Sequence, residues 1–412
     1  YLPIWDDGSD GSPINEDNYY AHYVYRMVNV YKDYVHFWEV LNEPDADLSG
    51  NGWKPRGMPG NWYDNVPDPC EYTFFAPIFL YIRMLKITYE VVKTLDPEAY
   101  VAVGGLGNPS FLDLIMRHTD NPVDGSVTAE YPLKGGAYFD VLSYHSYPHL
   151  DGSLREYDPN VGGFVYERNS DRAVRGYLDR GAAFQTVMAD YGYGTTYPSK
   201  KVITTETNVA RQSFTYYGSD EFQRNYAIKV AIAAQQAGQL QMHLYTMGDD
   251  VPEAQATSEF QLMGLYKSLS NVVPYNVVKN DIAIAYKTVS DALEILTYDA
   301  NRTGQMNLPG NVSGAAFADA QGNYTYVLWA TVTADQSENA NASYSFPASL
   351  LSGQMEAKAW DYSETGETST VNAQGISLTG SPIFLTPLQS ANLSVFAGND
   401  QTICAGDSTS IT

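Results

Sequence analysis

Between residues 20 and 296 the chain alternates two hydrophobic patterns. From Tyr20, the residues Val24, Met27, Val28 and Tyr31 recur at helical spacing, and the short apolar run Val35 to Leu41 follows them. The same alternation predicts helices over Phe74 to Leu95, ending before Pro97, over Phe111 to Arg117, over Ala173 to Tyr191, from a Ser219 cap to Ala234, and over Val277 to Leu296. Further strands are predicted at Tyr100 to Gly104, Phe139 to His145, Val202 to Thr205 and Gln241 to Thr246. Near-continuous apolar strands separated by amphipathic helices describe a parallel sheet covered by helices.

Five strand–helix units can be counted. A closed eight-unit barrel needs three more in front, and Tyr1 to Trp5 supplies only the tail of one. At roughly 30 residues or more per unit, about 70 to 100 residues would then precede this chain; otherwise the sheet is open. The expected fold class is α/β: a (β/α)8 TIM barrel lacking its first strands over residues 1–298, followed by an antiparallel β-sandwich over 299–396. The second part is read from short alternating runs such as Tyr324 to Val332 and Met355 to Trp360, separated by Asp, Asn, Gly and Ser turns. Residues 397–412, AGNDQTICAGDSTSIT, read as the opening of a further immunoglobulin-like or PKD-like domain, or a linker.

Charge and composition narrow the ligands. Of 412 residues, 48 are Asp or Glu and 24 are Lys or Arg, a net charge of −24 that argues against nucleic acid or an anionic membrane as partner. Neutral or cationic ligands suit such a surface, and so does simple solvation. No run approaches the roughly 20 apolar residues of a membrane span. Cys70 and Cys404 are the only cysteines, so no disulfide framework or zinc site is encoded, and among six histidines only His145 and His149 lie close together. No metal or other cofactor is expected. The 34 Tyr and 6 Trp supply flat, hydrogen-bonding rings suited to stacking on sugars or to filling cores.

Two predicted strands end on a carboxylate: HFWEVLNEP on Glu43 and KKVITTETN on Glu206. In a parallel barrel all strand C-termini open on one face, so two residues far apart in sequence converge there. Convergent carboxylates are what glycoside cleavage requires, one protonated for the leaving oxygen and one ionised for the anomeric carbon. A retaining pair sits about 5 to 5.5 Å apart and an inverting pair roughly 6.5 to 9.5 Å. Pro44 turns the chain and fixes Glu43 at the lip. Glu39, four residues earlier on the same side, is read as a buried structural carboxylate. His145 and Tyr147 share one side of an extended segment, either at the site or as an aromatic lid on the barrel. Trp5, Trp53 and Trp62 follow barrel strands, where indoles form sugar platforms or pack loops. Tyr245 and Asp249 end the last strand at the same rim.

The segments WEVLNEPD, TETN and SYHSYPH resemble the clan of (β/α)8-barrel retaining glycoside hydrolases that carry the acid/base after strand four and the nucleophile after strand seven. Within it the chain is nearest to the β-xylosidase and iduronidase family, whose barrel also leads into a β-sandwich. The resemblance implies that Glu43 is the general acid/base, that Glu206 is the nucleophile, and that Asn42 binds the sugar 2-hydroxyl. His145 or Tyr147 should lie beside Glu206. It further implies a carbohydrate substrate, a plant or algal polysaccharide or its oligosaccharides. The terminal segment resembles tandem domains of secreted Bacteroidetes surface proteins, so a secreted or cell-surface location and further domains of the same polypeptide beyond both ends are expected. Two departures stand out: an Arg that the clan places on its second strand has no counterpart here, and the last strand, QMHLYTMGDD, lacks the Trp of many members. The competing reading is a non-catalytic carbohydrate-binding or surface protein that reuses the barrel. Retention of both Glu43 and Glu206 favours the enzyme.

Overall fold

The computed structural model describes residues 1–269 and 277–388. In chain order α1 (Tyr19–Tyr31) leads to β1 (Phe37–Val40), α2 (Ile78–Leu95) to β2 (Tyr100–Val103), and α3 (Pro109–Arg117) to β3 (Val141–Ser146). A hairpin of β4 (Arg155–Asp158) and β5 (Gly163–Tyr166) precedes α4 (Ser170–Asp190) and β6 (Lys201–Thr207); α5 (Asp220–Gln236), β7 (Gln241–Leu244) and α6 (Asp281–Leu293) complete this half. Strands β1, β2, β3, β6 and β7 form one sheet in that order, every pairing parallel. The expected units are therefore present as five consecutive strands. Among the described residues β1 and β7 are the sheet's edges, and it does not close on itself.

Local chemistry sets the helix limits. Asn18, Asn169 and Ser219 cap α1, α4 and α5 by accepting from the backbone N–H of Ala21, Arg172 and Phe222. The second helix starts at Ile78 and not at Phe74, because Phe75 is held at φ 50° and Pro77 is extended.

The two sheet faces differ in kind. Val40, Val101, Val103, Leu142, Tyr144 and Val202 pack outward against the helices in the main core. Facing the other way, Ala102, Val141 and Ile203 make a small cluster with Phe37 and Tyr100. Further along the strands this face turns polar, with Glu39, Ser143, His145 and Thr205 bonded to one another.

The second half is antiparallel. After α7 (Ala300–Gln305) come β9 (Val312–Ala318) and β10 (Tyr324–Ala330), and before it β8 (Thr297–Tyr298) already pairs with β9. Strands β11 (Asn341–Tyr344), β12 (Gln354–Lys358), β13 (Thr368–Asn372), β14 (Ile376–Thr379) and β15 (Ile383–Pro387) follow, with α8 (Tyr362–Thr365) between β12 and β13. A six-stranded sheet runs β13-β12-β15-β10-β9-β8, and β11 pairs with β14. Alternation along β10 divides its side chains: Tyr326 and Leu328 join Tyr344, Met355 and Ile376 in one core, while Val327 and Trp329 pack with Ile228 and Ile232 of α5 and Val289 of α6. Buried polar groups join the halves as well. Lys229 Nζ on α5 reaches Asp171 and the Ser170 hydroxyl, each at 2.7 Å, and Glu338 accepts from Ser170 and Asn225.

No helix among the described residues is long and apolar enough to cross a membrane. Cys70 is an exposed free thiol. Cys404 and the segment 397–412 lie outside the described residues.

Candidate active site

Glu43 is carried by a bent strand end. Beyond β1 the backbone enters the left-handed region at Leu41 (φ 66°) and again at Glu43 (φ 45°), each of the kind that costs about 1–3 kcal/mol and persists only where surroundings enforce it. The enforcement is visible. Glu43 N–H donates to Gly104 O at 2.9 Å, and the Thr73 hydroxyl donates to Glu43 O at 2.5 Å. A Cβ on Gly104 would lie 2.3 Å from Val40 O, so only glycine lets β2 come this close. The next residue but one, Asp45, is fully buried and accepts from the N–H groups of Gly107 and Asn108 at 3.2 and 2.7 Å. Burial pushes its carboxyl up to about 6, against those two bonds. In the sequence, a charged residue directly after the turn is the only signal of Asp45's part in holding this bend.

Glu206 depends on an irregularity in β6. Val202 and Thr204 face the helices, Thr204 bonding the Tyr177 hydroxyl on α4 at 2.9 Å. Strict alternation would send Glu206 the same way. Instead the register between β3 and β6 slips between Tyr144 and His145: Tyr144 pairs with Thr204, and His145 with Glu206. Thr205 is the extra residue, a β-bulge of the sort that re-aims side chains near functional sites. Thr205 and Glu206 consequently both reach the inner face.

There the carboxylates meet. His145 Nδ1 lies 2.7 Å from Glu43 Oε1 and 3.6 Å from Glu206 Oε2, and its Nε2 lies 3.1 Å from the Thr205 hydroxyl. The Tyr147 hydroxyl donates to Glu206 Oε2 at 2.6 Å. Burial acts to lower the His145 pKa, but the bond to Glu43 and the charges of Glu206, Glu43 and Glu39 outweigh it and hold the imidazole above its ordinary value. Burial first, then the Glu206 charge, drives Tyr147 far upward, so it stays a neutral donor. Glu43, His145 and Glu206 offer donor atoms all within 4.8 Å of one another. The 2.7 Å contact is nevertheless shorter than the roughly 3.4 Å that ligands keep across a tetrahedral ion with bonds near 2.1 Å, so Nδ1 and Oε1 share a proton.

Glu39 accepts from Ser143 at 2.9 Å and from Thr205 at 3.4 Å, tying the polar layer beneath the pair. It is exposed and not buried as expected. Loss of water on its sheet side still raises its carboxyl, against the Ser143 bond.

The remaining expected residues divide. Trp53 lines a cleft of about 700 Å³ with Glu43, His145, Tyr147, Asp151 and Arg180. Tyr245 lies beyond Glu206 on its other side, its ring 6.0 Å from that of Tyr147. Asn42 is exposed at the lip, between the two left-handed residues, and its side chain makes no hydrogen bond among the described residues. Trp5 and Trp62 are corrections. Trp5 is buried in the core around α1, where it bridges Ile14. Trp62 is wholly buried against Tyr72 and Phe111, bonds Glu71, and is capped by Gly52, so neither indole has a face for a sugar. Asp249 is likewise not at the rim; it is buried in an ion pair with Arg211 at 2.8 Å.

No protein-family model matches the chain, and no curated protein sequence matches it. Solved structures do. A family 39 glycoside hydrolase from the gut symbiont Bacteroides cellulosilyticus WH2 is similar at a TM-score of 0.57 and 17% identity, over 91% of this chain and 63% of that one. A glucosidase from Croceicoccus marinus is similar at a TM-score of 0.51 and 12% identity, over 90% of this chain and 74% of that one. The chain thus spans under two thirds of the first relative's length. At such identities the likeness establishes the fold alone, a helix-covered parallel sheet with a second domain, as in these glycoside hydrolases.

Proposed function

We propose that the chain is a secreted retaining glycoside hydrolase that cleaves β-glycosidic bonds of a plant or algal polysaccharide, or of its oligosaccharides, by double displacement. One observation carries this reading: Glu43 and Glu206, 163 positions apart, present carboxylate oxygens within 4.8 Å of each other at the C-terminal ends of parallel strands. That upper bound on the facing oxygens favours the close approach of a retaining pair, roughly 5 to 5.5 Å, over the roughly 6.5 to 9.5 Å of an inverting one.

Glu206, kept as an acceptor by the Tyr147 hydroxyl, attacks the anomeric carbon and forms an ester to it as the glycosidic C–O bond breaks. Glu43 gives the departing oxygen the proton it shares with His145 Nδ1. In the second step Glu43 takes a proton from water, whose oxygen displaces Glu206 and restores the starting anomer. Asn42, exposed beside Glu43, is the residue that binds the 2-hydroxyl on this reading. Replacing Glu206 by Gln should abolish hydrolysis, and Glu43→Gln should slow it by about 10²–10⁴-fold, less for aryl glycosides whose leaving group needs no proton. Proton NMR of the first-formed product should show the substrate's anomeric configuration. Wild type silent on a broad panel of β-glycans, or product of inverted configuration, would refute the reading.

A further inference from the structure

The β4–β5 hairpin contributes nothing to the carboxylate pair, yet Tyr157, Phe164 and Tyr166 there keep 58%, 52% and 42% of their surface exposed. Residues directly opposite in an antiparallel pair point the same way. Arg155 opposite Tyr166 and Tyr157 opposite Phe164 therefore share one aromatic face, leaving Glu156 and Asp158 on the other. Phe164 and Tyr166 each have an arginine against them. Arg155 sits 4.6 Å from the Phe164 ring and Arg168 4.8 Å from Tyr166, while in the cleft Arg180 sits 4.2 Å from Trp53, itself half-exposed. Two of these arginines are pinned: Arg168 grips Asp335 at 2.9 and 2.5 Å, and Arg180 bonds Gly107 O at 3.0 Å and Asp151 at 3.3 Å. A ring braced on one side loses little freedom on binding, which favours affinity.

The cleft continues toward these rings. Leu150, Gly152 and Arg155 line both the cleft at Glu43 and a second depression of about 270 Å³, which runs on to Tyr166, Arg168 and Tyr216.

We propose that Trp53, Phe164 and Tyr166 are a series of arginine-braced platforms holding a carbohydrate chain that extends past the cleaved residue, so that the substrate is a polysaccharide cut internally. The ligand class rests on the glycosidase reading. The occupant is a sugar chain and not a protein because the series is continuous with the carboxylate cleft, and pyranose rings offer apolar faces to aromatic side chains.

Affinity electrophoresis of the full chain through gels holding xylan, mixed-linkage β-glucan, laminarin or agarose tests this. Glu206→Gln should be retarded in at least one gel. Adding Phe164→Ala and Tyr166→Ala should weaken binding tenfold or more, while Phe164→Tyr with Tyr166→Phe keeps it. No retardation in any gel, or equal retardation of the alanine variant, overturns the proposal. Hydrolysis is measured in parallel. Ring-dependent retardation without hydrolysis would sink the catalytic reading and leave the groove; hydrolysis with ring-independent retardation would do the reverse. Release of single sugars from chain ends, without early long products, would overturn internal cleavage.

Discussion

Glu43 and Glu206 reach one point by unequal means: the first on a strained turn, the second on a bulge. Both lean on His145, and His145 leans on Gly105, whose Cβ, if present, would lie 2.2 Å from Nε2. Gly105→Ala should therefore turn the imidazole out of the bonds to Glu43 and Thr205. Hydrogen bonds to charged groups contribute about 1.5–3 kcal/mol, so kcat should fall about 10- to 100-fold while the melting temperature drops modestly. Activity equal to wild type would show that His145 is dispensable. At this scale the chemistry was legible and the packing was not. Carboxylates after apolar runs, and His and Tyr two apart, carry their meaning in the sequence. An indole does not: Trp53 and Trp62 stand nine residues apart in one loop, and only the tertiary close approach of Gly52 to Trp62 separates platform from core.

Among elements, the five parallel strands were legible because burial on both faces leaves unbroken apolar runs. The β4–β5 hairpin was not, since its aromatic and charged residues are exposed and give no core-facing periodicity. KVITTET likewise gives no sign of the extra residue at Thr205, which becomes visible only against the fixed ladder of β3. The joint of α4, α5 and the antiparallel sheet rests on Lys229, fully buried between Asp171 and Glu338. Lys229→Met would strand two buried carboxylates and should destabilise the fold by about 3–5 kcal/mol, measured by denaturant unfolding. A loss under 1 kcal/mol would mean that Trp329, Ser170 and Asn225 suffice to hold those acids.

For the whole molecule, acid tolerance is set by opposing groups. His149 is buried among Tyr147, Tyr216 and Phe260, and neither ring nitrogen has a well-aligned hydrogen-bond partner. Burial pushes its pKa down to about 4, so its contribution is present above the ordinary value near 6.5 and is lost as pH falls from there toward 4. Asp45, raised to about 6, runs the other way, favouring the folded state as pH falls through the same window. Relative to wild type, His149→Phe should gain about 1.4 kcal/mol of stability per pH unit of acidification between 6.5 and 4. A constant offset across that range in thermal melts would show that His149 stays uncharged in both states.

Arg168 ties this architecture to the groove. It braces Tyr166 while its guanidinium is gripped by Asp335, 167 residues further along and from the other half of the chain. In the proposed groove, the firmness of the Tyr166 platform is thus delegated to a carboxylate of the antiparallel half. The antiparallel half is less an appendage than the fixed jaw of a vice, and mutations far from the carboxylate pair would be felt first as slackened grip on long chains.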